Sequence, residues 1–276
     1  MNQIIDFRFL QNDKIKIYIY TDIKNINMKN NRGSVSETGH SKNIANLQDL
    51  ISFCTAYGDR YNPVKEELKI SSLKRLYENA LSKLNETQAK KTLFDNATNQ
   101  RADAFRDLNP LATKVINALA VSEKNPLMLS NAKSYNKKLQ GRTKSKTEAE
   151  KSEKETEAPI RTVSTSQQSY DSKINHFSNL IQVLEQSAAY NPNEEELKIR
   201  TLQEKLADII NKNTALINAN TEYSNARLIR DQILYNNLTG LCQITKEVKQ
   251  YVKSVYGATS PQYKQISGIV FTKIKV

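Results

Sequence analysis

Apolar residues along most of this chain recur three and four positions apart, the spacing that lines one face of an α-helix. Ile44, Leu47, Leu50, Ile51, Cys54 and Tyr57 predict a helix over about 43–57. Leu68, Leu73, Leu76, Tyr77, Ala80, Leu81 and Leu84 predict a second. A third, over about 87–107, follows from Ala89, Leu93, Phe94, Ala97, Ala104 and Phe105. Asn109-Pro110 restarts the chain as a fourth, with Leu111, Val115, Ile116 and Leu119 inward, and a short helix over 127–139 is closed by Gly141.

The pattern then returns. Helices are predicted over about 172–188 (Ile174, Phe177, Leu180, Ile181, Leu184), 193–211 (Leu197, Leu202, Leu206, Ile209, Ile210) and 213–235 (Leu216, Ile217, Ala219, Tyr223, Ala226, Ile229, Ile233). After a break at Thr239-Gly240 a last one covers 241–255. The expected fold is all-α, with about four helices per bundle, antiparallel because the loops are short.

The recurrence is literal. Residues 61–76 read YNPVKEELKISSLKRL and residues 190–205 read YNPNEEELKIRTLQEK, with nine of sixteen positions identical at an offset of 129. Phe94, Asn96, Ala97 and Arg101 fall on Tyr223, Asn225, Ala226 and Arg230 at the same offset. The chain is read as a tandem duplication. Within the signature, Asn62 and Asn191 suit an N-cap and the prolines suit the first helical position. The glutamates suit the positive end of the helix dipole, and Glu194 could close a capping box with Asn191.

The flanks break the pattern. Residues 1–28 lack Ala, Gly, Pro, Ser, Val and Glu, and seven are Ile. Two readings stand: translated upstream sequence with Met28 as the true start, or a hairpin of FRFL and KIKIYIY about a QND turn. Residues 141–168 are rich in Lys, Glu, Ser and Thr and read as a flexible linker. The tail from 256 switches to a β-rich run over Ile269–Val276, which could pair with another extended segment such as residues 15–20. The domain plan is therefore an extension at 1–32, a helical repeat at 33–140, the linker at 141–168, and a second repeat with an extended tail at 169–276.

Composition narrows the function. With 276 residues, 38% of them hydrophobic, the chain can fill two modest cores. Only Cys54 and Cys242 occur, which gives no disulfide framework and points to a reducing, cytoplasmic setting. No apolar stretch is long enough to cross a bilayer, so no membrane role is expected. Of the net charge of +12, residues 130–170 carry +4, while the two repeats are nearly balanced.

Candidate chemistry is sparse. His40 and His176 have no partner at metal-ligand spacing, and no nucleophile elbow or phosphate-binding glycine loop occurs. Neither a metal nor another cofactor is expected, and the chain is read as non-enzymatic. The acidic run Glu194-Glu195-Glu196 is explained by its place in a helix first turn. Arg101 and Arg230, being repeat-equivalent, read as buried arginines paired with a helix carboxylate, or as a symmetric anion site. The positive signal is basic: Lys133, Lys137, Lys138, Arg142, Lys144 and Lys146 follow the first repeat's fourth helix, and Lys246, Lys249 and Lys253 lie in the second's. Converged on one surface, they would neutralise phosphates and bind nucleic acid with strong salt dependence. Dispersed, they are a solvated face.

The TGHSKN start of the first repeat, the paired YNP segments and the GATSPQYKQISG run resemble an uncharacterised family of duplicated helical bacterial proteins. The resemblance covers about 33–272 and implies a fold but no activity. The expected role is structural or protein-interacting, through a partner or self-association, with nucleic-acid binding as the alternative.

Overall fold

The computed structural model describes residues 37–141 and 168–273. The elements are α1 (Glu37–Ala56), α2 (Ile70–Arg106), α3 (Leu108–Ser122), α4 (Pro126–Gln140), α5 (Tyr170–Glu185), α6 (Ile199–Tyr235), α7 (Leu241–Tyr256) and α8 (Pro261–Ser267). Short 3-10 turns precede α2 and α6, at Glu66–Leu68 and Glu195–Leu197. Among the described residues there is no strand. The 1–32 extension and nearly all of the 141–168 linker lie outside the described residues, as does the end of the tail.

The second and third predicted helices of each repeat are one helix. α2 and α6 each run 37 residues without a break. Nothing in Lys83–Ala89 or Asn211–Ala215 could stop a helix, since both stretches lack Gly and Pro. The two long helices lie antiparallel: Thr87 Oγ1 donates to the Ala226 carbonyl (3.2 Å), Lys90 pairs with Glu222 (2.7 Å), and Arg101 Nη1 donates to Asn213 Oδ1 (3.2 Å). As numbers rise along α2 they fall along α6. Phe94 and Tyr223, equivalent positions of the two repeats, stack on each other with centroids 5.9 Å apart.

This length sends the segments either side of 141–168 each into both cores. One core joins α1 and the start of α2 (Leu47, Leu50, Leu73, Leu84) to Leu234 and Tyr235 of α6, to Val248 and Val252 of α7, and to Ile266 of α8. The other joins Phe105, Val115, Leu119 and Leu139 to Phe177 and Leu184 of α5 and to Leu202 and Ile209 of α6. A bundle per repeat would need α2 to turn back near its middle, and it does not.

The signature stretch does not cap a helix. Lys69 and Lys198 occupy the N-cap positions, extended and with no side-chain cap bond, and Asn62 and Asn191 lie well upstream. What repeats is a closed loop. Tyr61 Oη donates to the Leu68 carbonyl (2.7 Å) and Tyr190 Oη to the Leu197 carbonyl (2.8 Å), with both rings and both leucines buried. Burial holds the Tyr190 hydroxyl protonated, its pKa pushed up to about 12, and raises that of Tyr61 as well. Glu66 and Glu195 pair with Lys69 and Lys198, and Glu194 is extended rather than closing a capping box.

The tail departs from its predicted β run. Ser260 caps α8 by accepting from Tyr263 N–H (3.1 Å), with Pro261 at the first helical position. Residues 269–273 follow as an irregular segment. Asn43 holds it like a short piece of ladder, donating to the Thr272 carbonyl (2.9 Å) and accepting from Thr272 N–H (3.0 Å). Before α7 the chain turns so tightly that a Cβ at Gly240 would stand 2.5 Å from the Asn236 backbone nitrogen.

Candidate functional site

A buried polar cluster stands where the repeats meet in the first core. α1 places His40 and Asn43 one turn apart, facing the end of α6. His40, 2% exposed, lies in α1 with Nδ1 2.7 Å from Tyr235 Oη. Asn43 Nδ2 donates to the same hydroxyl at 3.4 Å. Cys242 Sγ lies 3.7 Å from Asn43 Nδ2 and 3.9 Å from the Thr272 carbonyl.

Beside this cluster a cavity of about 530 Å³ opens between α7 and the tail, lined among others by Cys242, Lys246, Lys249, Phe271 and Lys273. Lys249 Nζ donates to the Ile269 and Ser267 carbonyls, and burial lowers its pKa. Lys273 Nζ donates to Asn237 Oδ1. Among the described residues no carboxylate is in the lining. The arrangement favours an anion with an apolar portion. It disfavours thiolate chemistry, because burial pushes the Cys242 thiol up to about 11, leaving about one in a thousand ionised at pH 8.

Both thiols yield a measurable consequence. Cys54, 1% exposed, is pushed by burial from 9.0 to about 12. Iodoacetamide labelling of the folded chain at pH 8, followed by mass spectrometry, should modify Cys242 slowly and Cys54 more slowly still. A thiol whose folded pKa is raised contributes stability that is present below its unfolded value and lost as pH climbs through the folded one. The melting temperature should therefore fall between about pH 9 and 12, and fall less when both cysteines are replaced by alanine.

The sequence-predicted basic residues divide between the cores. Lys133, Lys137 and Lys138 lie on α4, which packs in the second core, while Lys246, Lys249 and Lys253 lie on α7, in the first. Lys246 and Lys249 share the cavity, and Lys253 Nζ sits 5.9 Å from the Tyr263 ring centre. Arg142, Lys144 and Lys146 fall outside the described residues.

The equivalent arginines have unlike surroundings. Arg230, 2% exposed, donates through Nε and Nη2 to Asp231 Oδ1 (2.9 and 2.7 Å), its own neighbour in sequence. Arg101 stacks over the Tyr170 ring at 3.8 Å and bonds Asn213, whose Nδ2 donates to Asp171 Oδ1 (2.8 Å). Among the described residues the two guanidinium groups are not brought to one site: Arg101 meets Tyr170 and Asn213, and Arg230 meets Asp231. His176 is half-buried, and burial together with the nearby Lys138 lowers its pKa. Among the described residues, no three His, Cys, Asp or Glu side chains gather as a metal group, and no helix is long and apolar enough to cross a membrane.

Between the cores α2 and α6 rest mainly on each other, and apolar residues expected inward face solvent. Leu93 is 53% exposed, Ile217 54% and Ile229 45%. Leu228 is exposed too, as is Ile210, which was also expected inward. At 100° per residue, Ile210, Ile217 and Leu228 return to within about 20° of one line along α6. The spacing of Ile210 and Ile217 carried the sequence signal, but among the described residues no third element covers this part of the layer.

No family model matches the chain, and no curated protein or solved structure matches it.

Proposed function

We propose that this chain is a non-enzymatic helical protein of two tandem homologous modules, working in the cytoplasm by binding a protein partner or a second copy of itself. The observation that carries this is the apolar line on the paired long helices: Ile210, Ile217 and Leu228 on one side of α6, with Leu93 exposed on α2. Among the described residues, five of the eleven large exposed hydrophobic ones belong to these two helices. Exposed apolar side chains that return to one line of a helix suit an interaction face better than singly scattered ones.

A double variant, Ile217→Glu with Leu228→Glu, tests it. Both positions are exposed, so melting should change by no more than about 0.5 kcal/mol per site. Proteins, or a second copy, recovered with the wild-type chain from its native cell should be lost with the variant. Equal recovery by both chains, or none by either, would overturn the reading.

A second reading has its own support in the cavity where Lys246, Lys249 and Lys273 gather, with no carboxylate among the described residues of its lining. It takes the chain as phosphate-binding, on nucleic acid. Retention on immobilised DNA at low salt, falling steeply as salt rises, would favour it.

A further inference from the structure

The two cores contain the same seam, closed in one and open in the other. In each, the YNP loop lies against a helix: α7 against the first loop, α3 against the second. The helices correspond residue by residue. Leu108, Leu111, Val115 and Leu119 of α3 are matched by Leu241, Ile244, Val248 and Val252 of α7, each 133 positions further on, and all but half-buried Leu111 are buried. The loops correspond as closely, each with its Tyr-to-carbonyl bond and with the residue before the 3-10 turn at φ −67°. An ion pair spans both seams with the charges exchanged: Lys65 of the loop to Glu247 of the helix (2.6 Å), and Glu196 of the loop to Lys114 of the helix (2.8 Å).

One position differs in consequence. On α7, Tyr251 fills the seam. Its ring meets the Tyr61 ring edge-on, with centroids 5.3 Å apart and planes at 89°, and its hydroxyl accepts from Asn62 N–H (3.2 Å). The matching residue on α3 is Ala118. There the seam is a groove of about 570 Å³ between α3 and the loop, whose lining includes Ala118, Val121, Tyr190, Asn191 and Pro192. Val121 at this groove is 91% exposed, where α7 carries the polar Ser254. Asn191 N–H, the counterpart of the donor that Tyr251 satisfies, has no acceptor among the described residues.

We propose that this groove is a docking site for a tyrosine side chain of a partner polypeptide, seated as Tyr251 is seated in the other core. The ring would stand edge-on to Tyr190 and cover Val121, and the phenol oxygen would accept from Asn191 N–H. The protein supplies its own template for this ligand, which identifies a phenol rather than an aliphatic group. The groove is separate from the apolar line on α6, so either can fail without the other.

The test titrates acetyl-Gly-Tyr-Gly-amide into the ¹⁵N-labelled full chain and follows the amides of Ala118, Val121 and Asn191. Saturable shifts at these positions are expected. The Phe analogue should bind about two- to tenfold more weakly, for want of the hydroxyl acceptor. Ala118→Tyr should fill the groove from within, abolishing the shifts while keeping or raising the melting temperature. Tyr251→Ala should open the first seam and add a second set of shifts about Asn62. Absence of saturable shifts in the wild-type chain, or equal binding of the Phe analogue, would overturn the proposal. So would a melting temperature lowered by several degrees in Ala118→Tyr, since the groove would then not accept the ring. Binding of p-cresol without binding of the peptide would overturn the polypeptide source.

Discussion

Expressed as separate chains, residues 33–140 and 169–276 are expected not to fold as monomers, and to regain helix and cooperative melting when mixed. The first core without the second repeat loses Leu234, Tyr235, Leu241, Ile244, Val248, Val252 and Ile266. At about 1.5–3 kcal/mol for each buried large apolar side chain, that is on the order of 10–20 kcal/mol. Such a loss is as large as or larger than the roughly 5–15 kcal/mol that holds an ordinary domain folded. Circular dichroism and sedimentation of each half, alone and mixed, check this. Either half melting alone, as a monomer, at the temperature of the whole chain would refute it. Proteolytic cleavage within 142–167 should by contrast leave the two pieces associated, because both cores bind them together.

Tyr61→Phe and Tyr190→Phe should each cost about 1–2 kcal/mol, because each leaves a buried carbonyl, of Leu68 or Leu197, without its donor. The bonds are local, closing a loop across seven residues, and they lie in different cores. The two losses should therefore add, to about 2–4 kcal/mol in the double variant. Denaturant unfolding of the two single variants and the double variant measures this. A double variant no worse than one single variant would show that the loops are coupled, or that the hydroxyl bonds are not needed.

Helix content was legible because the apolar spacing of α1, α3, α5 and α7 follows the buried residues closely. Leu47, Leu119, Leu180 and Val248 are fully buried where the stripe placed them. The pairing of helices was not legible. A stripe says that a face is covered and not by what, and Leu234 covers α1 of the other repeat across a separation that local spacing does not encode. The continuity of α2 was legible in the absence of Gly and Pro, but the expectation of short antiparallel helices outweighed it.

The signature itself was half-readable. Its recurrence marked it as structural, yet Asn-Pro suggested a cap, whereas the tyrosine ahead of it makes the bond. His40 was the clearest omission. A helix carrying His40 and Asn43 one turn apart already puts two polar groups on one side, but only the fold brings Tyr235 to meet them. The open groove could not be seen from either copy alone. It emerges from setting Ala118 against Tyr251 once α3 and α7 are known to occupy like places.

The exchange of long helices also governs when the molecule can form. During synthesis, α1 and the start of α2 emerge early, but their core is completed by Leu234, Val252 and Ile266, near the other end of the chain. Vectorial folding, domain by domain from the N-terminus, is therefore closed to this protein. The first half leaves the ribosome with an apolar face uncovered until Leu234, Val252 and Ile266 have been made, and over that span the face is exposed to aggregation. The second core closes sooner, when α5 and the beginning of α6 reach α3 and α4, and it supplies the base on which the end of α6 can find α1.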